Sequence, residues 1–143
     1  MGWKELLGDI LFRCPMHSMG ELLIKKGATV YFQEILPKPS FSVFSAEYAA
    51  HSEDVFMLFG YSFLYPWLAT DDDRNTTLRM IRTLADFARE GKVPALENGK
   101  EWPKYSTLAG SPVVQQTDSG YSMEGPTRDC ELIRFLSALI EGS

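Results

Sequence analysis

One stretch constrains this chain more than any other. Residues 28–35, Ala-Thr-Val-Tyr-Phe-Gln-Glu-Ile, are β-branched and aromatic and read as a strand. Val30, Tyr31 and Phe32 are consecutive and bulky, the pattern of a strand with both faces covered. A helical pattern and a glycine stop precede it, which together make half of an α/β unit. One strand cannot form a sheet, and no second stretch of the 143 residues is as clear. Residues 111–122 read as short β or irregular structure. The expected fold class is α/β: helix-rich, with the last strand or strands of a sheet whose other strands lie elsewhere.

The helices follow from spacing. Residues 3–12 place Trp3, Leu6, Leu7, Ile10 and Leu11 on one face, expected to be buried, with Gly8 weakening the pattern. A second helix is expected over 15–26, with Pro15 in its first turn and Met16, Met19, Leu22 and Leu23 at helical spacing. Gly27 is its expected C-terminal stop. Pro37 and Pro39 end the strand, and 37–50 reads as a loop. A short apolar run over 54–58 is stopped by Gly60. The strongest helix follows Asp71, Asp72 and Asp73, with Leu78, Ile81, Leu84, Ala85 and Ala88 as its apolar positions and Phe87 alongside. Asp73, Asn75 or Thr76 is its expected cap, and Gly91 its end. A last helix is expected over 127–140, with Cys130, Ile133 and Phe135 to Leu139 on its apolar side.

Composition excludes several functions. Fourteen Lys and Arg against nineteen Asp and Glu give −5, and there is no basic run, so nucleic acid is not an expected partner. No apolar stretch approaches the ~20 residues that span a bilayer, so no transmembrane segment is expected. The start, MGWKELLGD, carries acids where a signal peptide would carry an apolar core. His17 and His51 lie far apart and no C-x-x-C pair exists, which argues against a metal site. No cofactor is expected.

Cys14 and Cys130 are two buried thiols or one long-range disulfide, which would contribute about 4–5 kcal/mol through the loop it closes. Asn75-Thr76-Thr77 is a glycan sequon, usable only in the secretory pathway. Together they favour an oxidising compartment, in tension with the missing signal peptide.

Candidate chemistry is sparse. Met16-His17-Ser18-Met19-Gly20 lacks the first glycine of a G-x-S-x-G elbow and lies in a helical pattern, whereas an elbow needs a strand before its serine. Residues 120–125 have the wrong spacing. Glu53 and Asp54 are adjacent, and adjacent carboxyls rarely converge on one glycosidic bond. His51 differs. It sits in a loop soon after the strand, where α/β folds place ligand-binding and catalytic groups, and histidine is the usual base near neutral pH. A hydrogen-bonded surface histidine is the alternative.

Several motifs now fall in order. Gly8-Asp9-Ile10-Leu11-Phe12-Arg13-Cys14-Pro15 resembles G-D-x-x-F-x-C-P. His51-Ser52-Glu53-Asp54-Val55-Phe56-Met57-Leu58-Phe59-Gly60 resembles H-G-x-E-[LI]-x-[FY]-[VL]-F-G. Val30-Tyr31-Phe32 resembles an aromatic strand, Leu84-Ala85-Asp86-Phe87-Ala88 resembles W-x-N-F-A, and Trp102-Pro103-Lys104-Tyr105 resembles W-P-x-[FY]. The chain resembles the C-terminal portion of a type-B carboxylesterase, in the cholinesterase-like branch of the α/β-hydrolases. The resemblance covers about residues 8–140.

It implies that 1–143 is a partial carboxylesterase domain whose N-terminal part is absent. His51 becomes the triad base, and Cys14 and Cys130 match the family's late disulfide. The serine elbow, oxyanion-hole glycines and triad acid precede this region in the family, so the chain alone should be inactive. The implied parent hydrolyses small or lipophilic carboxylic esters and lies in the secretory pathway or outside the cell. The other reading is a parent that is a non-catalytic cholinesterase-like adhesion or binding ectodomain. Departures inform. Ser52 replaces the usual glycine, and Asp86 an asparagine. Glu53 stands where cholinesterases place an aromatic residue, which favours a general carboxylesterase. Glu53 and Asp54 are expected to support the loop by hydrogen bonds.

Overall fold

A computed structural model describes residues 3–45, 47–106, 112–126, 130 and 133. The chain divides into two compact units. The first comprises Met1–Phe32, Pro103–Val113 and Glu124–Ser143, and the second Gln33–Trp102 and Val114–Met123.

In the first unit, helix α1 (Trp3–Gly8) runs through a π-helical turn (Asp9–Arg13) into α2 (Cys14–Lys25). Pro15 falls in the first turn of α2, where its missing N–H costs nothing. Gly27 ends the helix as expected. It sits at φ +85, its N–H donates to the Ile24 carbonyl, and the Ala28 N–H reaches back to that of Leu23. That pair of bonds is the Schellman arrangement, and it needs a left-handed residue at the glycine's position.

The face α2 buries is not the expected one. Cys14, His17 and Gly20 are buried, while Met16, Met19, Leu22 and Leu23 are exposed, as are Leu7, Ile10 and Leu11 before them. Asp9, meant for water, is buried and paired with Arg13 at 3.3 Å. Periodicity shows which face is apolar but not which face finds a partner. The buried side is built around His17. Its Nδ1 lies 2.7 Å from the Tyr105 hydroxyl, and its ring stacks on Phe32 at 4.2 Å. Gly20 makes room for Tyr105, since a Cβ there would meet the ring at 3.2 Å. Cys14 is disulfide-bonded to Cys130, with Cα atoms 5.5 Å apart. Of the helix expected over 127–140, Cys130 and Ile133 are helical and the remainder lies outside the described residues.

A small mixed sheet has three strands in the order β1 (Gln33–Ile35), β2 (Pro112–Gln116) and β3 (Tyr121–Pro126), of which Gln33–Ile35, Val114–Gln116 and Tyr121–Met123 belong to the second unit. β1 and β2 are parallel, with Gln33 opposite Val114. β2 and β3 are joined by a short turn closed by the Thr117 N–H on the Gly120 carbonyl, a connection only an antiparallel pair permits. The strand expected over 28–35 is thus corrected to its last three residues. A strand exists only where a neighbour supplies a ladder. At 28–32 the Tyr105 N–H donates to the Val30 carbonyl.

Helices α3 (Glu53–Leu58), α4 (Tyr61–Leu64) and α5 (Asp71–Glu90) complete the unit. The α5 cap is Thr70, not Asp73, Asn75 or Thr76. Its side chain accepts from the Asp73 N–H, and the Asp73 carboxylate returns to the Thr70 N–H, a reciprocal capping box. Gly91 closes the helix at φ +65.

Here too the buried face is the polar one. Asp73, Thr76, Thr77, Met80 and Thr83 face inward, while Leu78, Ile81, Leu84 and Phe87 are exposed. The buried hydroxyls are matched. Ser62 donates to Thr77 at 3.0 Å, and Thr83 lies 2.6 Å from the Tyr121 hydroxyl. Gln33 donates to Gln116 at 2.8 Å across the parallel pair. Such matching is what makes a polar interior affordable. Burial pushes the Tyr121 phenol above its ordinary range, with the Thr83 bond and the Arg79 charge opposing it.

Candidate functional site

His51 stands in a tight turn just beyond the C-terminal end of β1. The Leu36 N–H donates to the Gln116 carbonyl, extending the β1–β2 ladder by one bond. The Leu36 carbonyl then accepts from the Ala49 N–H at 3.1 Å. Those bonds carry the chain from the sheet to the residue before the turn. Across the turn, the Glu53 N–H donates to the Ala50 carbonyl at 3.1 Å. His51 and Ser52 are its two central residues.

Ser52 has φ 72 and ψ −5, the values of the third residue of a type II turn, which favours glycine. It is the non-glycine residue at positive φ among the described residues. The glycine of the resembled motif is explained by this backbone conformation, and the serine here holds it at a cost of roughly 1–2 kcal/mol.

Glu53 begins α3 and is 3% exposed. Its Oε2 accepts from the Ala50 N–H at 2.7 Å, so side chain and backbone of one residue both grip Ala50. Asp54 is exposed. The expected support of the loop by carboxylates therefore falls to Glu53. His51 itself is exposed.

The other candidates lie on other elements. Ser18 is an exposed residue within α2 and follows no strand. His17 is a core histidine, packed as described above. Asn75 is exposed in the first half of α5, while Thr77 of the same sequon is buried. Among the described residues no three His, Cys, Asp or Glu side chains gather to hold a metal ion, and no helix is long and apolar enough to cross a membrane. The Thr70 cap was legible in principle: Thr-x-x-Asp ahead of a helical pattern is its signature.

The described geometry can be set beside known proteins. A family model described as "Carboxylesterase family" matches residues 1–131. Acetylcholinesterase-1 of Trittame loki is 31% identical over 132 residues, covering 90% of this chain and 23% of that protein. Carboxylesterase 1C of Rattus norvegicus is 32% identical over 114 residues, covering 75% and 20%. Carboxylesterase 5A of Felis catus is 32% identical over 115 residues, covering 71% and 20%. The chain spans about a fifth of the length of these curated relatives.

Proposed function

We propose a function from one premise: the chain belongs to the carboxylesterase family. His51 is the base of a serine-esterase triad, and the 143 residues are the C-terminal portion of an α/β-hydrolase domain whose serine, triad acid and oxyanion hole lie in a further stretch of chain. The observation that carries this reading is the placement of His51, exposed, in a turn tied by Ala49 and Leu36 to the C-terminal end of a parallel strand. That is the edge at which open α/β sheets put their chemistry.

The chemistry then follows. The His51 imidazole takes the proton of the serine hydroxyl as its oxygen attacks the ester carbonyl. The imidazolium gives that proton to the departing alkoxide, leaving an acyl-enzyme. The same nitrogen then takes a proton from water as its oxygen attacks the acyl carbon; the bond from that carbon to the serine oxygen breaks, the imidazolium returns the proton to the serine oxygen, and the acid leaves. Small or lipophilic carboxylic esters are the substrate class.

Two further observations support the reading of a partial domain. The apolar faces of α2 and α5 are exposed, with Met16 at 57% and Leu84 at 45%, and contiguous apolar helix faces mark surfaces that another element covers. The Cys14–Cys130 disulfide and the exposed Asn75 suit a parent in the secretory pathway, with Asn75 carrying a glycan.

The test is the full-length parent with His51→Ala and His51→Gln, assayed on a p-nitrophenyl ester. Both are expected to lose roughly 10³-fold or more in kcat with the protein folded. Retained turnover would remove His51 from the mechanism. A parent that never labels with an organophosphate would instead be a binding ectodomain.

A further inference from the structure

We infer that Glu53 is a positioning residue for His51, an inference that rests on the reading of His51 as the base. Ala50 is held at both of its backbone polar atoms by one residue. Its carbonyl accepts from the Glu53 N–H at 3.1 Å, and its N–H donates to Glu53 Oε2 at 2.7 Å. The ends of the turn are thereby clamped, and His51 and Ser52 take up what lies between.

The clamp has something to hold. Ser52 at φ 72 occupies a region that side-chain-bearing residues rarely adopt, so this turn does not persist by local preference. Without the carboxylate, loop conformations with Ser52 in an ordinary backbone region compete. Each of them moves His51. Glu53 is buried, so its charge-assisted bond to the amide is not exchanged with water. The bond acts on the position of the imidazole and touches no substrate.

Transfer of a proton between oxygen and an imidazole nitrogen is steep in distance, and a displacement of about 1 Å can cost about a hundredfold in rate. Glu53→Ala in the full-length parent is therefore expected to lower kcat ten- to a hundredfold, roughly, with KM for a p-nitrophenyl ester within about twofold. Rates are counted per active site titrated with a fluorophosphonate, so a fall in folded protein does not imitate the effect.

Glu53→Gln keeps an acceptor of the same reach and is expected to recover kcat to within about threefold. Ser52→Gly added to Glu53→Ala is expected to restore part of the loss, because glycine adopts the turn unaided. If Glu53→Ala yields no titratable sites, Glu53→Asp, one methylene shorter, tests the same contact and should lose about three- to tenfold, between the glutamine and alanine variants.

A Glu53→Ala enzyme with unchanged kcat per site, beside an inactive His51→Ala enzyme, would overturn the positioning role and leave the base assignment standing. An active His51→Ala enzyme would overturn the base assignment itself.

Discussion

Removal of Asp73 should damage the second unit, because one carboxylate gathers several hydrogen bonds there. Its carboxylate accepts from the Ser40 N–H at 2.9 Å, from the Thr70 N–H at 2.7 Å and from the Thr70 hydroxyl at 2.8 Å, with the Ser40 hydroxyl a fourth donor. One side chain thus completes the Thr70 capping box of α5 and fastens the loop after β1 to it. Loss of the cap costs about 1 kcal/mol. Hydrogen bonds to a charged acceptor contribute roughly 1.5–3 kcal/mol, and two backbone amides would lose theirs. Because these share one side chain they are not additive, and Asp73→Ala should destabilise by about 3–4 kcal/mol at neutral pH.

The effect has a pH signature. Burial pushes the Asp73 carboxyl up, but the bonds from Ser40 and Thr70 outweigh it and hold the net value below the ordinary 3.8. A group whose folded pKa is depressed contributes stability above its unfolded value and loses it as pH falls through the folded one. The gap between wild type and Asp73→Ala should therefore be full at pH 7 and shrink below 3.8. Urea unfolding followed by tryptophan fluorescence, extrapolated linearly at each pH, measures it. A gap that stays constant into acid, or one under about 0.5 kcal/mol at neutral pH, would refute the argument.

The disulfide and the strained turn yield two more. Cys14 and Cys130 are separated by 116 residues, so replacing both with alanine should cost up to about 5 kcal/mol by chain entropy. A loss under about 1 kcal/mol by denaturant titration would show that the crosslink constrains little. Ser52→Gly should raise stability by about 0.5–1 kcal/mol, the strain relieved less the extra freedom of glycine in the unfolded chain. Ser52→Val should lower it, and a Tm that moves the other way for either variant would contradict the turn assignment.

Local signals hold where they act locally. The glycines at 27 and 91 stop helices because a left-handed residue lets the last carbonyls find donors within a few residues. His51 was placed in a loop after a strand, and it is tied to that strand's end. Readings that depended on distant partners fared differently. The strand shortened to three residues, because ladder bonds come from another segment. The expected cap, Asp73, Asn75 or Thr76, gives way to Thr70, with the Asp73 side chain returning its bond.

The sequence by itself determined the resemblance to the family, the glycine stops after α2 and α5, and the position of His51 along the chain. Motifs and caps are written in residues close together, so their physics is complete within a few positions. Tertiary structure alone decided which helix faces are covered. It buried His17 and Thr76 and left Met16 and Leu84 exposed. It also decided which of two neighbouring carboxylates grips the turn, Glu53 and not Asp54. Burial is a relation between a side chain and whatever packs on it, and no periodicity within a helix specifies that partner.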